Sequence, residues 1–483
     1  MADYSVELIG ILVALALLIF LAFRGFTLLV AAPAAAIVAA IFSGEPLLAK
    51  WTLTFMEGTA NFVRNFFPIF LLGGLFGKLM DDSGAGLSIA RGIVAKLGES
   101  RALFAVVLAC AVLTYGGVSL FVVAFAVYPV ASALFRQSGT PHRLIPGAIV
   151  LGSFTFTMTA LPGTPAIQNA IPMAFFGTTL FAAPILGIIA AVVMLGFGMW
   201  WLKLVESRAR AAGEGYGHGT APAADAQITR QKGANAENFD TAELEHGQRS
   251  AQLPSFWASM APVIAVLVVN LLMSIFVLPR ANTDFLADRF GTTLAAVSGV
   301  WSVVVALAVA TTLVLVLFFK RLPDWRKSVD AGATASVLPL LNTASLVGFG
   351  AVVAALPAFG VVRDGFLAVP GGPLVSIAVA TNVMAGITGS ASGGLTIALN
   401  ALGATYVELA NAAGISLDLM HRVAAIGSGA LSMLPHNGTV VTLFVICGAT
   451  HRSSYREVMM CGLVGPLLAL ACIIVLGTLF GAF

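Results

Sequence analysis

Two short segments of the sequence combine helix-breaking residues with amides inside strongly apolar surroundings. The first reads LPGTPAIQN over residues 161–169. Pro162 and Pro165 interrupt a helix, and the half-helix that follows them would present free backbone N–H groups, which bind anions. The alternative is that these prolines only kink a packed helix. The candidate ligands in this segment are Gly163, Thr164, Gln168 and Asn169.

The second segment reads LPHNGT over residues 434–439, and an offset of 275 residues places Gly163 and Thr164 on its Gly438 and Thr439. His436 is an ionisable residue in apolar surroundings, so it would bond a carboxylate or carry a coupling proton near neutral pH. A neutral histidine bonded across helices is the alternative. The candidate ligands in this segment are His436, Asn437, Gly438 and Thr439, of which His436 is the ion-coupling candidate.

Two glycine-rich segments each precede one of these breaks and interrupt a paired apolar stretch. They read TYGGVS over residues 114–119 and TGSASGG over residues 388–394. Glycine lets two backbones and a ligand approach closely, and the hydroxyl groups supply uncharged donors. Helix packing through small residues is the alternative. The candidate ligands are Thr114, Tyr115, Gly116, Gly117, Ser119, Thr388, Gly389, Ser390 and Ser392.

The composition places all four segments in a membrane protein. Hydrophobic residues make up 59% of the chain and charged residues 10%, with a mean hydropathy of +0.97. This composition predicts an all-α polytopic membrane protein in a bilayer. A formal net charge of +3 is too small for a nucleic-acid surface. The sequence has no phosphate-binding loop, HExxH motif or Cys/His cluster, so neither enzymatic activity nor a metal or cofactor is expected.

A polar, Ala/Gly-rich segment over residues 206–254 divides the chain and is predicted to be a cytoplasmic disordered linker. The first repeat, 1–205, has predicted scaffold helices within 6–80 and transport elements within 102–204. The second repeat, 255–483, has scaffold helices within 257–356 and transport elements within 372–480. The predicted helices are 6–23, 26–43, 62–80 and 182–204 in the first half, and 257–278, 293–319, 335–356 and 458–480 in the second.

Each half also contains a paired stretch, 102–135 or 372–407, and a broken helix, 144–178 or 420–447. If each pair is a re-entrant hairpin, each half crosses the membrane five times, and the odd number makes the two repeats inverted. The positive-inside rule then puts the linker in the cytoplasm and both termini outside. Six of the 25 Lys and Arg residues fall on the outer side: Lys50, Arg64, Arg280, Arg289, Arg363 and Arg422.

The remaining titratable residues receive no role in this interpretation. Asp81 and Asp82, beside Lys78, are interpreted as a solvated helix end. His142 and His421 are placed in loops or at interfaces.

Four segments resemble the gluconate permease family, within the wider ion transporter superfamily. They are FLLGGLFGKLMDDSGAGLSIARGIVAKLG (70–98), TYGGVSLFVVAFAVYP (114–129), TALPGTPAIQNAIP (159–172) and GSGALSMLPHNGTVVTLF (427–444). The resemblance implies secondary active uptake of hydroxylated carboxylates, usually with protons, in the bacterial inner membrane. It also implies inverted repeats, a mobile transport domain that moves as an elevator, and a scaffold that forms a homodimer.

One departure indicates the branch of the family. Gluconate carriers have a glutamate directly after the tip tyrosine and a histidine- and proline-rich first break, whereas this chain has Tyr115-Gly116-Gly117 and LPGTPAIQN. The chain is therefore more similar to the β-hydroxybutyrate permease branch. We expect a symporter of 3-hydroxybutyrate with protons or sodium. A sugar-acid carrier of the gluconate type and an organic anion channel remain the alternatives.

Within this expectation the substrate carboxylate is held by half-helix N-termini and by hydroxyl groups. The hydroxyl donors are Ser119, Thr164, Ser390 and Thr439, and the substrate hydroxyl meets Asn169, Asn437 or His436.

Overall fold

The regular structure of the chain is helical. The computed structural model describes residues 5–24, 26–217, 252–435 and 437–482, and these residues contain helices and no β-strand. Uninterrupted apolar sequence favours helices in a membrane, because a helix satisfies its own backbone polar groups. The prediction of an all-α polytopic membrane fold is confirmed.

The first half contains ten helices within the described residues. They are α1 (Ser5–Phe23), α2 (Leu28–Phe42), α3 (Leu47–Asp82), α4 (Ala85–Leu97), α5 (Ala102–Tyr115), α6 (Leu120–Ser138), α7 (145–154), α8 (Phe156–Thr159), α9 (Ile167–Phe176) and α10 (Pro184–Ala211). The pair α5–α6 is the first hairpin, and α7, α8 and α9 form the first broken helix.

The second half follows a similar order within the described residues. Its helices are α11 (Phe256–Arg280), α12 (Phe285–Phe290), α13 (Leu294–Arg321), α14 (Trp325–Ala354), α15 (Phe359–Leu367), α16 (Gly372–Thr388), α17 (Ala391–Ala412), α18 (Leu417–Met433), α19 (Gly438–Cys447) and α20 (His451–Phe480). The pair α16–α17 is the second hairpin, and α18 and α19 form the second broken helix.

Six helices of the described residues are long and apolar enough to cross a membrane, and two bent pairs raise this number to eight. The six are α3, α10, α11, α13, α14 and α20. The hairpin and broken-helix elements are mostly shorter, as elements that end inside a bilayer would be. The division into inverted repeats of five crossings stays a prediction.

Helices α3 and α14 pack against each other along much of their lengths. Gly74 meets Gly332 at one end, and Gly58 meets Gly348 and Ala351 at the other. A Cβ atom on Gly74 would lie 2.6 Å from the Gly332 carbonyl oxygen, so the backbones approach too closely for larger residues. Because the lower number on α3 pairs with the higher number on α14, these corresponding helices run antiparallel.

Several elements differ from the sequence prediction. The connections contain three helices that the sequence prediction omitted, namely α4 before the first hairpin, α12 after α11 and α15 before the second hairpin. Helix α10 continues past the predicted linker boundary at residue 206 and ends at Ala211. The continuation is anchored, because Arg143 forms an ion pair of 2.6 Å with Glu214 and Tyr216 bonds to Ser132. Most of the predicted linker, residues 218–251, lies outside the described residues.

Candidate substrate site

The tip of the first hairpin contacts the first helix break directly. Helix α5 ends at Tyr115, and Gly117 takes a positive φ of 92°, a conformation that favours glycine. The Tyr115 hydroxyl donates a hydrogen bond of 2.7 Å to the carbonyl oxygen of Pro162. A Cβ atom on Gly117 would lie 3.0 Å from Pro165. The tip and the break therefore form one structural unit.

The first break is closed by hydrogen bonds from its own backbone and from Asn169. The Gly163 N–H donates to the Leu180 carbonyl oxygen at 2.9 Å. The Asn169 side-chain amide donates to the carbonyl oxygens of Thr164 and Leu180, each at 3.1 Å. Asn169 is fully buried. These bonds satisfy the backbone groups that Pro162 and Pro165 leave without helical partners.

A cavity of about 160 Å³ lies where the tip and the break meet helices α3 and α14. Tip and break residues in its wall are Thr114, Gly117, Val118, Ser119, Leu120, Met158, Pro165, Ala166, Ile167 and Gln168. The scaffold contributes Ile69, Phe70, Gly73, Gly74, Ala335, Ser336 and Pro339. The wall is mostly apolar, and its polar side chains are uncharged.

Two helices begin at this cavity with their N-termini in its wall. The N-cap of α6 is Ser119 and the N-cap of α9 is Ala166, and neither makes a side-chain capping bond. The first N–H groups of a helix have no acceptor within the helix, and the helix dipole adds positive potential there. The two N-termini together favour an anion in the cavity.

The hydroxyl of Thr114 also belongs to this cavity. Thr114 is 3% exposed, and within the described part of the chain its Oγ1 atom has no hydrogen-bond partner. A buried hydroxyl without a partner is costly, so such a group in a cavity wall indicates a missing ligand. Gln168 is 3% exposed and offers a side-chain amide to the same space.

The second tip and the second break pack against each other but satisfy their own donors. Ser390 caps α17 by accepting a bond of 2.9 Å from the Gly393 N–H. Asn437 caps α19 by accepting a bond of 2.7 Å from the Thr439 N–H. A Cβ atom on Gly389 would lie 4.0 Å from Asn437. The N-termini of α17 and α19 are thus capped by side chains of the protein.

The structure places only some of the sequence-predicted residues in the cavity wall. Thr114, Gly117, Ser119 and Gln168 line the cavity. Tyr115, Gly163, Thr164 and Asn169 are not in the wall, and Gly116 packs against Val263. Among the described residues of the second tip and break, none is in the wall: these are Thr388, Gly389, Ser390, Ser392, Asn437, Gly438 and Thr439. His436, the ion-coupling candidate, lies outside the described residues.

The two halves nevertheless meet around these elements. Helix α6 of the first hairpin packs against α19 of the second break. Helix α9 of the first break packs against α17 of the second hairpin. In each half, the hairpin therefore packs against the broken helix of the other half.

His421 and Arg422 are buried in α18, whereas the sequence interpretation placed His421 in a loop or at an interface and counted Arg422 among the loop charges of the outer side. The His421 ring bonds to Thr178 Oγ1 at 2.6 Å and to Asn169 Oδ1 at 3.1 Å. Arg422 donates to Asn169 Oδ1 at 2.9 Å and to the Thr159 carbonyl oxygen at 3.1 Å. The signal for this burial in the sequence is a basic pair at the start of a broken apolar helix.

The interpretation of Asp82 and Lys78 as a solvated helix end was also wrong. Their side chains are each 1% exposed and form an ion pair of 3.1 Å. The cause is packing, because α3 continues to Asp82 and Lys78 lies against Gly332 of α14. This ion pair is one turn beyond Gly74, which lines the cavity.

A second cavity, of about 290 Å³, lies further towards the start of α3. Its polar lining residues include Glu57, Asn61 and Asn65, spaced by four along α3, and Thr396 and Asn400, spaced by four along α17. Phe62 and Phe66 line this second cavity, whereas Phe70 lines the first. Their rings contact one another, with centroids 4.7 Å apart for Phe62 and Phe66. An aromatic cluster thus separates the two cavities along α3.

Comparison with known proteins identifies the class of protein. A Bacillus subtilis (strain 168) protein named uncharacterized transporter YxjC is 42% identical over 467 residues, which cover 94% of this chain and 95% of that protein. The chain belongs to this transporter family. A Haemophilus influenzae (strain ATCC 51907 / DSM 11121 / KW20 / Rd) protein named uncharacterized transporter is 27% identical over 222 residues, 46% of this chain and 45% of that protein. No protein-family model matches the chain.

The fold of this family member is similar to that of a solved transporter. The crystal structure of the Alcanivorax borkumensis YdaH transporter matches with a TM-score of 0.54 at 17% identity, and the match covers 90% of this chain and 89% of that one. At this identity the likeness shows the fold alone. Together with the apolar helices, the comparisons show a multi-pass membrane transporter.

Proposed function

We propose that this transporter imports a small hydroxy-monocarboxylate, most specifically 3-hydroxybutyrate, by symport with a cation. The carboxylate would bind at the N-termini of α6 and α9, and the substrate would bond to Thr114, Ser119 and Gln168. Ser390, Asn437 and Thr439 would support the site from the second half. The resemblance to the β-hydroxybutyrate permease branch points to the same substrate class.

The convergence of two uncapped helix N-termini on one cavity is the observation that carries this proposal. Neither Ser119 nor Ala166 occupies the N–H groups of its helix with a side chain. No charged side chain of the described residues is in the cavity wall, so a cation would find no counter-ion there. Backbone donors with a buried Thr114 hydroxyl suit a carboxylate that also carries a hydroxyl group.

The wall favours a short acid over a sugar acid. A volume of about 160 Å³ is below the roughly 300–1,000 Å³ of sites for drug-sized ligands. The carbon chain would lie against Phe70, Met158 and Pro339. Gluconate carries a hydroxyl group on almost every carbon, and the wall offers few polar side chains to satisfy them.

We propose alternating access by an elevator movement, in which the hairpins and broken helices move against α3 and α14. The cavity lies between these two groups of helices, so the movement would carry the substrate along α3. The second cavity, beyond the aromatic cluster, would be the route on the opposite side. The coupling ion would be a proton or sodium, with His436 as the proton-carrying candidate, and the scaffold would form a homodimer in the bacterial inner membrane.

Uptake into proteoliposomes tests the substrate and the coupling together. Labelled (R)-3-hydroxybutyrate would be supplied with an imposed proton gradient or an imposed sodium gradient, and with unlabelled gluconate as competitor. We expect accumulation above the external concentration, driven by one of the gradients and insensitive to gluconate. Liposomes containing the Gly117→Ala protein are the matched control.

Two other results would contradict this proposal and indicate a different function. Competition by gluconate would move the chain to the sugar-acid branch of the family. Equilibration without accumulation under either gradient would indicate an organic anion channel.

A further inference from the structure

Arg422 is a fully buried charge whose hydrogen-bond acceptors are all neutral. Its guanidinium donates to the carbonyl oxygens of Thr159, Leu180 and Ala182 and to the side-chain oxygen of Asn169, at distances of 2.7 to 3.3 Å. Within the described residues no carboxylate lies within 4.0 Å of it. Asp418, one turn earlier on α18, is exposed. The positive charge of Arg422 is therefore solvated by dipoles and forms no direct ion pair within the described residues.

The guanidinium bonds to residues that are next in sequence to residues of the cavity wall. Two of its acceptors, Thr159 and Asn169, are the chain neighbours of Met158 and Gln168, which line the cavity. Arg422 itself is not in the wall. A charge in this position acts on the cavity through protein and not through water.

A buried charge without a direct ion-pair partner acts over a longer range than a surface charge, because little solvent screens it. Of the charges nearby, Lys78 and Asp82 form a neutral pair, and the opposing charge of Asp418 is exposed and therefore screened by solvent. The potential from Arg422 adds to that of the helix N-termini of α6 and α9, whose first N–H groups provide the contacts. A substrate carboxylate would in turn compensate the buried charge.

Resting on the proposed function, we propose that Arg422 determines the specificity of this site for anions. It acts without touching the substrate, by favouring a carboxylate over an uncharged analogue of the same shape. Arg422 is thus a positioning and specificity-determining residue. Its bonds to Thr159, Leu180 and Ala182 hold the first break closed, and its charge selects the ligand.

The test compares an acid with its own amide. Half-saturation concentrations would be measured for (R)-3-hydroxybutyrate and (R)-3-hydroxybutyramide in proteoliposomes, and the ratio of amide to acid gives the preference for charge. We expect Arg422→Lys to keep this ratio within a few-fold, and Arg422→Gln to lower it about tenfold or more. A purely structural role would weaken acid and amide equally.

His421→Gln is the matched control, because it alters a neighbouring side chain that also contacts Asn169 but leaves the charge of Arg422 in place. We expect this variant to change both half-saturation concentrations by the same factor. If Arg422→Gln does not fold, Asn169→Asp neutralises the guanidinium in place and should lower the ratio in the same way.

The outcomes separate this inference from the proposed substrate. A wild-type protein that binds 3-hydroxybutyrate and its amide equally would overturn the role of Arg422 and leave the substrate intact. A wild-type protein that binds another acid would contradict the proposed substrate, and the ratio would then be measured with that acid and its amide. An unchanged ratio in Arg422→Gln or in Asn169→Asp would also overturn the role of Arg422.

Discussion

Both halves of the chain contain a glycine-rich tip that packs against a helix break. The halves differ in whether side chains cap the helix N-termini of these elements. In the first half Ser119 and Ala166 leave the N-termini of α6 and α9 without side-chain caps. In the second half Ser390 and Asn437 cap α17 and α19. A missing side-chain cap costs about 1 kcal/mol, and at α6 and α9 it leaves the first N–H groups open towards the cavity.

The difference indicates a division of labour between the halves. Uncapped N-termini at a cavity leave backbone N–H groups for a ligand, whereas capped ones contribute to stability. Thr114 and Thr388 show the same contrast at the two tips. The Thr114 hydroxyl is buried without a partner in the described residues, while Thr388 Oγ1 donates to the Met384 carbonyl oxygen at 2.8 Å. Of the two tip threonines, the one without a partner lies in the half that we propose binds the substrate.

The largest expected difference between the halves concerns the tip glycines. Gly117→Ala should abolish uptake, because it combines a positive φ of 92° with a contact of 3.0 Å to Pro165. Gly389→Ala has a φ of 69° but a nearest neighbour at 4.0 Å, so it should keep part of the uptake. Initial uptake rates, normalised to folded protein, measure both. Equal loss in the two variants would contradict the division of labour.

A cap added to the first half should block the anion site. Ala166 has the extended backbone of an N-cap, so the carboxylate in Ala166→Asp can bond the first N–H groups of α9. We expect KM for the acid to rise tenfold or more while the thermal stability is kept. Asn437→Ala is the opposite change and should lower stability by about 1 kcal/mol with a smaller change in KM. If Ala166→Asp left KM unchanged, the carboxylate would not bind at this helix end.

The two threonines should respond unequally to loss of the hydroxyl. Thr114→Val removes a group that we assign to the substrate, so KM should rise about tenfold, the equivalent of one hydrogen bond of 1–1.5 kcal/mol. Thr388→Val removes a bond within α16 and should change KM less. Concentration dependence of uptake gives both values, and a larger effect from Thr388→Val would reverse the interpretation of the tips.

The smallest expected effect concerns the connections between hairpin and broken helix. Burial lowers the pKa of His142 below its usual value of 6.5 in the first connection, residues 139–144. The second connection, residues 413–416, has no titratable side chain. The unfolded chain takes up this proton first, so stability should fall as the pH drops below about 6.5 and stay constant above it.

Thermal unfolding followed between about pH 7.5 and about pH 5 measures this effect. His142→Gln keeps a hydrogen-bonding group near Tyr128 and should flatten the dependence. A profile that is the same in both proteins would assign the acid sensitivity to other groups.

The positions of the breaks and tips could be predicted from the sequence, because proline and glycine rarely interrupt apolar runs of this length without a structural reason. LPGTPAIQN and TGSASGG mark the ends of helices in the structure as they do in the sequence.

The wall of the cavity and the environment of Arg422 could not be predicted in this way. Both depend on contacts between residues more than 200 positions apart, such as Arg422 with Thr159. Asn169 illustrates the limit, because its amide suggests a ligand contact, whereas in the fold it bonds Thr164, Leu180, His421 and Arg422. Apolar scaffold residues such as Phe70 carry no chemical signal at all.

The most direct test of the central claim is an experimental structure of the transporter with (R)-3-hydroxybutyrate bound in a lipid environment. The account predicts ligand density in the cavity between the first tip and the first break, with the carboxylate within hydrogen-bond distance of the first N–H groups of α6 and α9 and with Thr114 bonded to the ligand. Density at the second tip and break, or a carboxylate turned away from both helix N-termini, would contradict it.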